Sequence, residues 1–191
     1  MRKIIFILLF IPMVSFGQNK RELAHQNVLQ LKEGALLVRL YTSESKINAL
    51  KKLGQEKEAE EVIRNQMLEN RAIYTSFSAI YDFSKVYFFY NTSSDQILKK
   101  EFKGNLLNEK LEVDSLIDID SEHYFIAEFD FTPSTGLYAL VIKDSEFEFL
   151  KKPFPYYVKR YDVLPIARRS PFDMVHILNN KLHQKLNKIL K

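Results

Sequence analysis

The chain has 191 residues, 46% hydrophobic and 27% charged, with 28 Lys and Arg against 24 Asp and Glu; this is the composition of a folded chain able to bury one core. It has no cysteine, which excludes disulfides, thiolate metal sites, a Cys nucleophile, a dithiol redox pair and a lipidated N-terminal Cys. Its five glycines stand at 17, 34, 54, 104 and 136, too far apart for a phosphate-binding loop, a dinucleotide fingerprint or a nucleophile elbow.

Residues 1–17 read as an export signal. Arg2 and Lys3 form a positive start, Ile4 to Val14 is an apolar stretch interrupted by Pro12, and Ser15 and Gly17 are the small residues that precede a cut before Gln18. The apolar stretch is too short to span a bilayer comfortably. The leader resembles those of small secreted bacterial proteins, which implies an exported product, periplasmic or secreted. Residues 18–191 then form a single domain, and no transmembrane segment is expected after cleavage.

Cleavage leaves 26 basic and 24 acidic groups, a net charge of +2. The balance is uneven: residues 151–191 carry a net +8 and residues 18–150 a net −6. The basic character belongs to the C-terminal end.

In chain order, Asn19 to Glu33 has helical spacing, with Gly34 placed to end it. Ala35 to Tyr41 is a short apolar run that reads as a strand. Ser43 is a candidate N-cap for a helix from Glu44, Gly54 ends that helix, and a longer one runs from about Gln55 to Tyr81. Together they predict a helical hairpin between strands. Lys85 to Asn91 is β-branched and aromatic on both faces, which predicts a central strand. Thr92 to Ser94 can cap a short helix through Lys100. Residues 101–122 read as a polar loop pinned by Leu106, Leu107, Leu116 and Ile117. His123 to Phe131 alternates, with Phe125, Ala127, Phe129 and Phe131 on one side and Tyr124, Ile126, Glu128 and Asp130 on the other. Leu137 to Ile142 predicts a central strand, Asp144-Ser145 a turn, and Glu146 to Phe149 a charged edge strand. Tyr156 to Tyr161 predicts one more. Ser170-Pro171 opens a last amphipathic helix, with Asp173 completing a capping box.

These elements predict an α/β domain with a mixed central sheet, a helical-hairpin crossover and a C-terminal amphipathic helix. Pro133, Leu137 to Ile142, the Asp144-Ser145 turn, Phe147 to Leu150 and the helix over 171–190 resemble the closing half of a thioredoxin-like domain. Where that family carries its dithiol this sequence reads Asn91-Thr-Ser-Ser-Asp95, so the resemblance implies a redox-inactive module of the envelope.

Candidate sites are few. Asp114, Asp118, Asp120 and Glu122 with His123 are spaced like oxygen ligands, but the glycine and twelfth-position acid of a calcium loop are missing; no metal and no cofactor are expected. Glu128 and Asp130 share one strand face, as a paired-carboxylate catalyst or an ordinary solvated face does. His25, His123, His176 and His183 form no close ligand pair. Asn91-Thr-Ser matches a glycosylation triplet, unused in a bacterial route.

Basic and aromatic residues interleave near the C-terminus. Arg160, Arg168 and Arg169 with Tyr157 or Tyr161 point to an anionic partner: an acidic protein, a glycan or a lipid head group. An exported chain seldom meets nucleic acid, so none is expected. The leading expectation is a non-catalytic binding domain. The alternative is a hydrolase drawing Asp, Glu, His or Ser from scattered positions.

Overall fold

Leu36, Val38 and Leu40 alternate with Ala35 and Leu37 along one strand, and all five are buried, so this strand is covered on both faces. It is β1 (Ala35–Leu40) in a computed structural model that describes residues 20–132, 135–162 and 165–191. With β2 (Lys85–Tyr90), β3 (Tyr124–Phe131), β4 (Tyr138–Lys143) and β5 (Tyr157–Lys159) it forms a mixed sheet in the order β2-β1-β3-β4-β5. β2 and β3 flank β1 in parallel, β4 runs antiparallel to β3, and β5 antiparallel to β4. The export signal lies outside the described residues, as does Pro133 of the thioredoxin-like pattern.

One face of the sheet is covered by three helices, α1 (Lys20–Glu33), α3 (Glu56–Ile80) and α5 (Pro171–Ile189). Val28 and Leu31, Ile73 and Phe77, and Leu178 and Leu182 from these helices meet Leu36, Val38, Ala127, Leu140 and Ile142 in one core. Fully burying such a side chain stabilises the fold by about 1.5–3 kcal/mol. The short α2 (Glu44–Lys52) leads into α3 through Gly54, whose φ of +72° suits a residue without a Cβ. The pair makes the helical connection between β1 and β2.

The second face is covered differently. Ile97 of α4 (Ser94–Leu98) and the loop residues Phe102 and Leu106 pack on Ala35, Leu37, Phe89, Tyr124 and Ile126. Gly34 joins α1 to β1 at a point with no room: an added Cβ would lie 2.2 Å from the His123 carbonyl oxygen. The close approach lets Ala35 N–H donate to that oxygen at 3.1 Å, which starts the β1–β3 pairing.

At α5, Ser170 Oγ accepts from the Asp173 backbone N–H and the Asp173 side chain accepts from the Ser170 N–H, with Pro171 in the first turn. The capping box read from the sequence is present.

Several expectations are corrected. β2 is an edge strand rather than a central one; its apolar outer side is explained by the following loop, where Leu107 N–H donates to the Phe88 carbonyl at 2.9 Å and Tyr90 OH to the Leu111 carbonyl at 2.9 Å. Glu146 to Phe149 forms a turn with an isolated bridge from Phe149 to Lys143, and β5 takes the edge instead. Ser43 precedes α2 but makes no side-chain cap; its Oγ donates to Gln66 Oε1 at 2.6 Å. Leu116 does not pin the loop, being 90% exposed, whereas Phe102 does. Phe131 is exposed at the strand end. Glu128, which an ordinary solvated face would expose, is fully buried.

Candidate anion-binding cleft

A cleft of about 460 Å³ opens between β5, the segment that leads into it, and α5. β5 alternates, burying Val158 in the core and turning Tyr157 and Lys159 towards the cleft. Ile177 and Lys181 stand one helical turn apart on α5 and form the opposite wall. Lys152, Phe154 and Tyr156 complete the lining before β5, Tyr161 and Arg169 after it.

The chain fixes Arg169 there twice. Its backbone N–H donates to the Arg160 carbonyl at 2.8 Å, and its Nη1 donates to the Lys159 carbonyl at 3.0 Å. The guanidinium carbon lies 4.6 Å from the centroid of Tyr161, a residue held at φ +64°. On the facing wall Lys181 Nζ reaches the Tyr157 carbonyl at 3.4 Å. Tyr156 and Tyr157 pair with ring centroids 4.7 Å apart.

Among the described residues four cations therefore line the cleft, Lys152, Lys159, Arg169 and Lys181, and no carboxylate does. Burial, and next the neighbouring Arg169 charge, hold the Lys181 ammonium below the ordinary lysine range. Like charges gathered with aromatic walls make a site whose electrostatics an anion completes.

Of the residues expected from sequence, Tyr157, Tyr161 and Arg169 meet in this cleft. Arg160 and Arg168 do not. Arg160 pairs with Glu69 and Asp162, each at 3.4 Å, and lies over the Tyr138 ring. Arg168 Nε stands 3.3 Å from Asp162. Asp162 thus holds both arginines. Lys152 and Lys181 were missed. The signal for Lys181 is its four-residue spacing from Ile177, which puts the two on one side of α5.

A second charged group lies on the sheet itself. Glu128 Oε2 accepts from Arg39 Nη1 at 2.9 Å and from Tyr41 OH at 3.0 Å, while Lys143 Nζ sits against Oε1. Lys143 Nζ also stands 3.2 Å from Asp130 Oδ2 and 4.3 Å from the centroid of Phe149. Phe147, at φ +62°, covers Arg39 with its ring 5.4 Å away. Glu128 is thus buried and paired with two cations, while Asp130 shares Lys143 and stays about a third exposed. Burial and the Glu128 charge push the Tyr41 hydroxyl far above its ordinary range.

The acidic run of the loop serves the backbone: Asp114 Oδ1 accepts from Leu116 N–H and Asp118 Oδ1 from Ile119 N–H, both at 2.8 Å. Among the described residues no group of three or more His, Asp or Glu could hold a metal ion, and no helix is long and apolar enough to cross a membrane.

Compared with protein-family models, curated proteins and solved structures, the chain has no match.

Proposed function

We propose that the chain is an exported α/β binding domain whose cleft between β5 and α5 holds a segment of acidic glycan. The observation that carries this reading is the convergence, among the described residues, of four cations and several tyrosines, without a carboxylate, in one concavity. Lysine and arginine donors suit carboxylate or sulfate groups through charge-assisted hydrogen bonds. Tyrosine rings offer flat, amphipathic surface for the apolar face of a sugar. A concave site favours a chain segment over a broad protein surface.

Calorimetric titration tests the ligand class. Oligogalacturonate is expected to bind, more weakly as salt rises, and a neutral maltooligosaccharide is not. Binding to anionic phospholipid vesicles or to an acidic peptide, with none to oligogalacturonate, replaces the glycan by that partner. Equal binding of charged and neutral sugars removes the role of the four cations.

Export is tested by mass spectrometry of protein recovered from the envelope or the medium. The mature chain is expected to begin at Gln18; an intact Met1 contradicts it.

A further inference from the structure

A second crevice, of about 280 Å³, lies at the carboxyl ends of β1 and β3. The chain leaves β1 for β2 on one side and returns from β2 to β3 on the other, so the strand order reverses between β1 and β3. In open sheets with parallel strands, ligands bind outside the carboxyl ends at such a reversal. Arg39, Asp130 and Glu69 line the crevice, with Ile73, Phe131 and Tyr138 as apolar walls.

We infer that this crevice binds a free α-amino acid with an apolar side chain, its carboxylate on Arg39 and its ammonium between Asp130 and Glu69. Arg39 is held ready. Glu128 Oε2 takes Nη1 at 2.9 Å, and the rings of Tyr41 and Phe147 lie 5.4 Å from its guanidinium carbon. The Arg39 side chain is 22% exposed and lines the crevice. That leaves donors of a fixed planar fork for a carboxylate.

The acidic side is also part-occupied and part-free. Asp130 is about a third exposed and shares Lys143 with the buried Glu128. Glu69 engages Arg160 through Oε1 at 3.4 Å and its side chain is 38% exposed. A ligand with one charge meets one of these groups as a repulsion, whereas a zwitterion matches both signs. The volume is at or just below the lower end of ligand pockets, about 300 Å³, which limits the ligand to a small molecule. The crevice differs in this from the β5–α5 cleft, whose lining is of one sign.

The test is calorimetry of the full mature chain with L-leucine and L-phenylalanine, then with L-leucinamide and 4-methylpentanoate, which lack the carboxylate and the ammonium in turn. The amino acids are expected to bind, and each single-charge analogue at least about tenfold more weakly. Asp130→Asn and Glu69→Gln, both at partly exposed sites, are expected to weaken L-leucine and, by removing a like-charge repulsion, to strengthen 4-methylpentanoate, with circular dichroism confirming the fold. No heat from either amino acid, or 4-methylpentanoate binding as tightly as L-leucine, overturns the inference.

Discussion

Arg169 stands over Tyr161 with its guanidinium carbon 4.6 Å from the ring centroid, while its Nη1 donates to the Lys159 carbonyl at 3.0 Å. Neither contact removes its charge. The ring and the carbonyl orient the guanidinium without neutralising it, so its field reaches Lys181 across the cleft. Asp162, next to Tyr161 in the chain, is paired instead with Arg160 and Arg168. The cleft thus stays basic although an acid follows Tyr161 directly in the chain.

The pH dependence of the cleft follows from Lys181. Burial and Arg169 hold its ammonium below the ordinary lysine value of 10.5. Between that lowered value and the unfolded one the unfolded chain binds more protons, so this group makes stability rise with pH there. Anion binding has the opposite demand, since it needs the charged form. Affinity for oligogalacturonate is expected to start falling at a lower pH than a free lysine titrates. Arg169→Ala is expected to shift the Lys181 step upwards. Titrations across the alkaline range check both; a flat affinity up to ordinary lysine pH contradicts them.

The docking of α5 is tested by Leu182→Ala. Leu182 is fully buried in the main core, and truncating such a leucine costs about 2–5 kcal/mol. Against a total stability of about 5–15 kcal/mol the loss is severe. Chemical denaturation is expected to show a clearly lowered midpoint. Because α5 supplies one wall of the cleft, anion affinity is expected to fall with it.

The capping box of the same helix gives an acid-side prediction. Hydrogen bonds from the Ser170 side chain and backbone hold the Asp173 carboxyl below the ordinary range. A lowered carboxyl contributes stability that is present above its unfolded value and lost as pH falls through the folded one. Ser170→Ala is expected to cost about 1 kcal/mol at neutral pH. The gap between wild type and variant is expected to narrow in acid, as measured by urea midpoints across that range.

Much of the fold was legible because local signals agreed. The helical spacing before Gly34, the Ser170-Pro171-x-Asp173 box and the apolar runs of β1 and β4 each specify an element from neighbouring residues alone. What was not legible depended on distant partners. Alternation along His123 to Phe131 turns Glu128 outward from the apolar core, and it does lie on the other face. Nothing local shows that Arg39, 89 residues away, meets it there. The position of β2 was misread for a related reason: a loop, not a strand, covers its outer edge. In the cleft, Tyr157, Tyr161 and Arg169 were visible as interleaved aromatic and basic residues. Arg160 and Arg168 carry the same signal, and only the position of Asp162 and Glu69 distinguishes them.

The buried ion-pair group makes its own prediction. Removing one partner of a buried pair strands the other charge, at a cost of about 3–5 kcal/mol. Glu128→Gln leaves Arg39 and Lys143 facing a neutral amide, and a loss of that order is expected. Adding Lys143→Met removes one stranded charge, so the double variant is expected to regain part of the loss. Urea denaturation of wild type, both single variants and the double variant measures the coupling. Strict additivity contradicts the arrangement.

The cleft between β5 and α5 is tested most directly by the salt dependence of oligogalacturonate binding to wild type and to the Arg169→Ala, Lys181→Ala double variant. Exposed charges are screened beyond about 8 Å at physiological ionic strength. Wild-type affinity is therefore expected to fall steadily as salt rises. The double variant is expected to bind at least about tenfold more weakly at low salt, with a shallower salt dependence and an unchanged circular dichroism spectrum. Equal affinity and equal salt dependence in the two proteins would contradict the cleft as the binding site.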